Sequence, residues 1–314
     1  MPSDPAATAA ADRRRLTVAA LFMTGAASLV AATTLMAKVL GQNLLGDPLP
    51  GFMVSAGRFL FAWLTLVPVI AIMRPGFQGT RWKLHAARSV AGWATVTCIF
   101  TAAALMPLGD ATAISFLNPL IAMVLAIPLL GERVGPWRWG AAGMAVLGAL
   151  VLIRPGMAAF QPAALIALAA ALFGAFEVIF IKMLAGRSDT GKGGGGEPAI
   201  RILFVNNTIG AAVAGCVALT VWQWPTPQQW LMLAAIGLVM VTAQSLFIQA
   251  MKRADASYVM PFFYAALVFA ALYDAAVFEV VPVPLSILGA VLIVTGAVVL
   301  VWRERVNRVV EEDA

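Results

Sequence analysis

Glu177 is the residue of this sequence with the clearest capacity for chemistry, because its carboxylate lies inside the apolar run from Ala171 to Phe180. A charged side chain at that depth of a membrane costs several kcal/mol unless it faces a cavity or a partner. Such a carboxylate could take up and release a proton, or it could meet a cationic substrate. The alternative is a structural acid that pairs with Arg58 or accepts hydrogen bonds from a neighbouring helix. Both interpretations stay open on the sequence alone.

Further ionisable side chains could take part in binding or gating. Arg58 lies several residues inside an apolar run, where its guanidinium could bind a substrate carboxylate through two hydrogen bonds. It could equally extend to the outer membrane surface. Asp274 follows Tyr273 near the end of another run, and it could be an interfacial residue, a gate or a counter-ion for Arg58. Lys38 and Lys182 lie near the ends of equivalent runs, where extension to the surface or compensation of the helix dipole explains them, with a gate as the alternative.

Two aspartates and two prolines occupy matching places in the two halves of the chain. Asp110 and Asp255 each precede an apolar run and are followed by small residues, which predicts helix N-caps. Pro119 and Pro261 lie inside the same two runs, where a proline removes a backbone hydrogen bond. Both runs are therefore expected to form broken helices, and broken helices at a repeat interface are where membrane proteins tend to build ligand sites.

Polar and aromatic side chains at membrane depth form a second candidate group. Trp93, Thr97 and Thr101 follow one another at a spacing of four residues, which places them on one face of a helix. The predicted substrate-binding set is Trp93, Thr97, Ser115, Asn118, Glu177, Gln244, Tyr258, Phe263 and Tyr264. The predicted coupling or gating residues are Glu177, Arg58 and Asp274. Such a set suits a mostly apolar pocket with a few polar anchors, although hydrogen bonding between helices explains any single member equally well.

The elements that must position these side chains are membrane-spanning helices. The chain has 314 residues, of which 61% are hydrophobic and 11% charged, and soluble domains carry about 25% charged residues. Its apolar stretches lie near 16–40, 52–73, 84–106, 111–130, 136–153, 163–185, 199–221, 228–251, 257–278 and 284–302. Each is close to the roughly 20 residues that cross a bilayer. We expect an all-α integral membrane protein with ten transmembrane helices.

The net charge of +6 indicates topology and argues against nucleic-acid binding. If the N-terminus is cytoplasmic, most of the 21 lysine and arginine residues fall on the inner side of the membrane. This distribution predicts that both termini are cytoplasmic and that the protein lies in the cell inner membrane. The lipid bilayer and a small-molecule substrate are the expected partners, and the chain could be a monomer or a homodimer.

The two halves of the chain resemble each other in a constant order. Asp110 corresponds to Asp255, and Glu132 corresponds about twenty residues later to Glu279. Because each half has five stretches, the second half must enter the membrane from the opposite side. The predicted organisation is a tail at 1–15, a first repeat at 16–153, the first span of a second repeat within 154–185, a glycine-rich cytoplasmic linker at 186–198, four further spans at 199–302 and a tail at 303–314.

The pattern resembles the EamA-type family of the drug/metabolite transporter superfamily, with the amino-acid and aromatic-metabolite exporters as the expected branch. The resemblance rests on Asp110–Pro119, on Gly131-Glu132-Arg133 and on their second-half counterparts. The second copy departs from it, with Phe278-Glu279-Val280 in place of Gly-Glu-Arg and with Tyr264 where a proline would stand. The family implies ten helices, a central cavity and secondary transport of small metabolites.

The expected function is secondary active transport by alternating access, with amino acids or their analogues as substrates and export favoured. The alternatives are uptake or exchange of a nucleoside, S-adenosylmethionine, a vitamin or an organic cation, and a membrane-embedded enzyme. The segment Gly186–Gly193 resembles a phosphate-binding loop, but its last position is glycine and no nucleotide domain accompanies it. We therefore expect no nucleotide, cofactor or metal, and the single histidine, His85, offers no catalytic cluster.

Overall fold

The computed structural model describes residues 5–74, 76, 81–130, 136–153, 161–185, 199–254, 259 and 262–312. Within these ranges the chain forms helices and no strand. The helices are α1 (Pro5–Leu40), α2 (Gly51–Met73), α3 (Trp82–Leu105), α4 (Leu108–Ser115), α5 (Asn118–Leu130), α6 (Pro136–Ile153), α7 (Ala163–Ala185), α8 (Ala199–Ala218), α9 (Pro227–Met251), α10 (Ala265–Phe278) and α11 (Pro284–Glu312). The all-α prediction is confirmed for this part of the chain.

Seven segments among the described residues are long and apolar enough to cross a membrane, and α4 and α5 together form one of them. Three shorter apolar helices lie at Ala142–Ile153, Ala265–Phe278 and Pro284–Gly296. Helices suit this environment because each satisfies its own backbone hydrogen bonds where lipid offers no partners. The structure is that of a multi-pass membrane protein. The predicted linker at 186–198 lies outside the described residues.

The two halves of the chain interlock across the whole molecule. The first helix of each half packs against the third helix of the other half: α1 packs against α9, and α7 packs against α3. Helix α2 packs against its own counterpart α8, and α6 packs against its counterpart α11. Helices α2 and α3 also contact each other, and α8 contacts both. The centre of the molecule is therefore built by both repeats together.

The fourth apolar stretch is a broken helix. Helix α4 ends at Ser115, Phe116 and Leu117 form a turn, and α5 begins at Asn118. Pro119 lies in the first turn of α5, where a backbone N–H would have no helical partner, so it starts the second helix rather than interrupting a continuous one. The ring of Phe116 packs edge-on against Tyr264 with centroids 5.1 Å apart.

Tyr264 belongs to the equivalent interruption in the second half. It forms a turn immediately before α10, so the breaks in the fourth and ninth stretches face each other across the Phe116 contact. Pro261, predicted to break the ninth stretch, lies outside the described residues. The two interruptions bring non-helical backbone from both repeats to one place in the bundle.

Asp110 is not the N-cap that its sequence context predicts. Pro107 occupies the cap position of α4, and the carboxylate of Asp110 instead accepts a hydrogen bond from the Ser286 hydroxyl at 3.0 Å. The first N–H of α4, that of Leu108, donates to Asp274 from α10 at 2.8 Å. The capping acid therefore comes from the other half of the chain. Asp255, the second predicted cap, lies outside the described residues.

Helices α6 and α11 approach closely at two glycines. A methyl group added to Gly148 would lie 2.6 Å from the carbonyl oxygen of Gly289, and one added to Gly289 would lie 2.8 Å from that of Gly148. Small residues permit this kind of backbone approach in membrane helices, where packing supplies much of the association energy. The contact fixes the last helix of one repeat against the last helix of the other.

Replacing Gly148 with alanine should therefore destabilise the protein. We expect a cost of about 1–3 kcal/mol, because the backbones of α6 and α11 must move apart to admit the methyl group. The measurement is the thermal unfolding midpoint in detergent. Gly143 on the same helix is the matched control, since a methyl group there meets no heavy atom within 4 Å. Equal midpoints for Gly148→Ala and Gly143→Ala would contradict the close contact.

Candidate functional site

Glu177 lies in α7 against α3, at a point where α3 presents a glycine. A methyl group at Gly92 would come within 3.1 Å of the Glu177 carboxylate, so a larger residue there would force the acid away. One turn earlier in α7, Gly174 faces Asn118, whose amide nitrogen would lie 2.6 Å from a methyl group at that glycine. The two glycines let α3 and the start of α5 close around the carboxylate.

Arg88 provides the nearest positive charge to this carboxylate. Its Nη2 atom lies 3.5 Å from Oε1 of Glu177, and it sits one turn before Gly92 on α3. The separation is longer than the 2.7–2.9 Å typical of a charge-assisted hydrogen bond. The Nε and Nη1 atoms of Arg88 are buried and make no hydrogen bond within the described part of the chain. Arg88 thus attracts Glu177 without using its guanidinium donors fully.

Arg58 approaches the same carboxylate from α2. The hydroxyl of Thr97 on α3 donates to the hydroxyl of Ser55 on α2 at 2.9 Å, which fixes the register of the two helices. One turn after Ser55, Arg58 interacts electrostatically with Glu177. Only 3% of Arg58 is exposed, so the alternative in which it extends to the membrane surface is wrong.

Several hydrogen-bonding atoms are unused at the site formed by Arg58, Arg88, Glu177, Trp93 and Asn118. We call this site the polar centre. The indole N–H of Trp93 and the side-chain oxygen of Asn118 are buried without a partner among the described residues. Buried polar groups are nearly always hydrogen-bonded, and unpaired ones gathered at one place point to a ligand or to water. The centre is therefore the strongest candidate binding site.

The other predicted binding residues divide between helix contacts and an aromatic cluster. Thr97 is occupied by Ser55, and Ser115 donates to the Thr112 carbonyl within its own helix at 2.7 Å. Phe263 packs against Phe116 and Phe247, with centroids 6.3 and 5.8 Å apart. Gln244 lies on α9 with its buried side-chain oxygen unpaired in the described structure. Tyr264 joins the aromatic cluster through Phe116, and Tyr258 lies outside the described residues.

Asp274 forms a second charged site at the C-terminal end of α10, apart from the polar centre. It accepts a hydrogen bond from Lys38 on α1 at 2.5 Å, and only 4% of Lys38 and 2% of Asp274 are exposed. The proposal that Asp274 is the counter-ion of Arg58 is therefore wrong, and so is the expectation that Lys38 extends to the surface. Both errors arise because the partners are separated by 236 positions in the sequence.

The same carboxylate also holds the start of α4. Its Oδ2 atom accepts the Leu108 N–H, while Oδ1 takes Lys38, so one side chain links α1, α4 and α10. Next to it, the Tyr273 hydroxyl lies 2.6 Å from the Ser28 hydroxyl and joins α10 to α1 a second time. We call the Lys38–Asp274 pair with the Leu108 N–H the lock, since these bonds hold three helix ends together.

Three buried polar residues of the helix bundle were not predicted from the sequence. Hydropathy alone assigns Arg88 to the cytoplasmic charges at the start of a helix, but Arg88 lies six residues inside α3. Asn206 and Asn207 are adjacent polar residues within the apolar helix α8, and 4% and 1% of them are exposed. The signal for all three was available, because each is a polar side chain more than one turn inside a spanning helix.

No group of three histidine, cysteine or acidic side chains suited to a metal ion occurs among the described residues. Cys98 and Cys216 are free thiols. The polar centre itself offers charge pairing and hydrogen bonding, with a carboxylate that can hold a proton.

Comparison with known proteins places this arrangement in a family. The model of the EamA-like transporter family matches residues 17–154 and again residues 161–302. The chain belongs to the EamA-like transporter family. The two matched copies coincide with the two repeats that interlock at the centre. A solved crystal structure shares the fold with a TM-score of 0.61 at 21% identity, covering 90% of this chain and 96% of its own.

Proteins similar to this chain are named for the transport of different metabolites. The S-adenosylmethionine uptake transporter of Rickettsia prowazekii is 25% identical over 84% of this chain and 87% of its own length. The pseudopaline exporter CntI of Pseudomonas aeruginosa is 27% identical over 79% of this chain and 84% of its own. The riboflavin transporter of Vibrio cholerae is 30% identical over 65% of this chain and 66% of its own. Relatives of similar sequence identity to this chain thus include both an uptake transporter and an exporter.

The lock makes a testable contribution to stability. Asp274→Asn should cost about 3–5 kcal/mol of unfolding free energy, because it leaves the Lys38 ammonium buried without its counter-charge. The double variant Lys38→Met with Asp274→Asn should recover part of that loss by removing the orphaned charge. Thermal unfolding in detergent measures both. A double variant no more stable than Asp274→Asn would contradict the pairing of Lys38 with Asp274.

Proposed function

We propose that this EamA-like transporter moves small metabolites across the cell inner membrane by alternating access, with amino acids or their analogues as substrates and export as the preferred direction. The observation that carries the proposal is the polar centre. Glu177 meets two buried arginines from the first half while it is itself supplied by the second half. A charged site at the interface of two repeats is the arrangement on which secondary transporters operate.

The relatives support a metabolite substrate and leave several classes open. S-adenosylmethionine carries an amino-acid head group, which fits a site that combines guanidinium and carboxylate side chains. Pseudopaline and riboflavin are the other named cargoes. Uptake or exchange of a vitamin, a nucleoside or S-adenosylmethionine is therefore the second candidate, and the uptake relative favours it directly. The protein could work as a monomer or as a homodimer.

Ten spans with both termini in the cytoplasm complete the proposed arrangement. The excess of arginine and lysine on one side supports this orientation. It places the C-terminal ends of α1 and α10 at the outer surface, so the lock closes the outer side. The polar centre then communicates with the cytoplasm in this conformation, and release of the lock would open the opposite side. Lys38 and Asp274 act as the gate in this scheme.

Glu177 is the proposed coupling residue. It is an ionisable side chain at the repeat interface: its carboxylate can pair with arginine, or it can bind a proton and become neutral. Changing that state alters the charge that a substrate meets in the polar centre. Proton binding and substrate binding at one site are then thermodynamically linked, since each changes the affinity for the other.

Glu177→Gln should remove the pH dependence of transport. Glutamine keeps the shape and the hydrogen-bonding capacity of the side chain but cannot exchange a proton. Flux of labelled S-adenosylmethionine and of labelled amino acids into proteoliposomes, measured across a range of pH, tests this expectation.

Glu279→Gln is the matched control, because Glu279 is an exposed acid outside the polar centre. Its pH profile should follow that of the unmodified protein. A Glu177→Gln protein that transports with an unchanged pH profile would remove Glu177 from the coupling mechanism.

A further inference from the structure

The charges of the polar centre do not balance. Arg58 and Arg88 contribute two positive charges, and Glu177 contributes one negative charge. Each arginine is less than a tenth exposed. An uncompensated charge inside a membrane protein is costly, so such residues face a partner or a water-filled cavity. Within the described residues Glu177 is the acid that interacts electrostatically with both arginines, and one positive charge remains without a counterpart.

We infer that the polar centre recognises a carboxylate of the transported molecule, that Arg58 binds it, and that the ammonium of an amino acid is not required. The inference rests on the proposed function and names its substrate class. It singles out Arg58 because Arg88 is the arginine in salt-bridge contact with Glu177. The substrate thereby supplies the negative charge that the protein lacks.

The donors of Arg58 fit this role. Its Nε and Nη1 atoms are both buried and make no hydrogen bond inside the described structure. A guanidinium presents its N–H groups in a planar fork that matches the two oxygens of a carboxylate. Phe59 lies beneath the guanidinium, with the ring centroid 4.4 Å from the guanidinium carbon. This contact holds the fork in place before a ligand arrives.

Helix α8 adds buried polar groups one turn before its contact with Phe59. The Phe59 ring packs on Gly210, where a methyl group would lie 2.5 Å from the ring. Asn206 and Asn207 lie one turn before Gly210, and their side-chain oxygens are buried without a partner among the described residues. Oxygen acceptors on the helix that packs against Phe59 can bind the N–H or hydroxyl groups of the rest of the substrate. The proposed site therefore has two parts: Arg58 for the substrate carboxylate, and the side-chain oxygens of Asn206 and Asn207 for donors elsewhere on the substrate.

Three forms of one amino acid test the inference on the purified protein. We would compare N-acetyl-L-phenylalanine, L-phenylalanine and L-phenylalaninamide, and the same three forms of methionine, by calorimetry and by thermal stabilisation at up to millimolar concentration. The two forms with a carboxylate should bind, with the N-acetyl form at least as tight as the free amino acid. The amides should bind at least about tenfold more weakly, because they leave the buried guanidinium unpaired.

Variants of Arg58 assign the effect to the residue. Arg58→Gln should abolish the preference for acid over amide, and Arg58→Lys should retain a reduced preference because it keeps the charge without the fork. Lys252→Gln is the control, since it removes one exposed positive charge elsewhere and should leave the preference unchanged. Should the Arg58 variants not fold, the comparison of acid with amide on the unmodified protein decides the question alone.

Several results would overturn the inference. These are an amide that binds as well as its acid, an N-acetyl form at least tenfold weaker than the amino acid, retention of the acid preference in Arg58→Gln, and no binding of any carboxylate probe. Its failure is distinguishable from failure of the proposed function. Transport of only organic cations or neutral solutes in proteoliposomes would support the proposed transport function and contradict the carboxylate site. Carboxylate binding without any transport would support the carboxylate site and contradict the transport function.

Discussion

The attraction between Glu177 and two buried arginines is the interaction on which the interior of this protein depends. Charges inside a membrane protein must be compensated locally, because lipid cannot solvate them. Gly92 and Gly174 give the carboxylate and its neighbours room to meet, and the bond between Ser55 and Thr97 sets the register that brings Arg58 to the same level. The packing of α2, α3 and α7 is thus arranged around one negative charge.

The lock shows how the two repeats have come to differ. Lys38 and Lys182 occupy equivalent places, but the position that corresponds to Asp274 in the first half is an apolar one, close to Ile127. A buried ion pair therefore joins helix ends on one side of the bundle, and the sequence offers no matching acid on the other. In the proposed alternating-access cycle, opening the two sides would break different interactions, so the two conformations need not have equal free energy.

The sequence predicted the features that depend on local composition and missed those that depend on distant pairing. The helical class follows from the apolar runs, the family from the resemblance carried by Asp110–Pro119 and Gly131-Glu132-Arg133, and the position of Glu177 inside the bundle from a charge within an apolar run. The Asp110 cap was wrong because the capping carboxylate, Asp274, arrives from another helix at 2.8 Å from the Leu108 N–H. Arg88 was overlooked because hydropathy does not distinguish a charge at a helix start from one six residues inside it.

Alternating access through the lock is tested most directly by measuring from which side of the membrane the polar centre can be reached. Asn118→Cys, in a background without Cys98 and Cys216, would be treated with a membrane-impermeant thiol reagent in intact cells and in inverted vesicles. We expect labelling from the cytoplasmic side alone while the lock is intact, and additional labelling from outside when Asp274→Asn is introduced. Labelling from outside with the lock intact, or unchanged labelling after the lock is broken, would contradict alternating access through this gate.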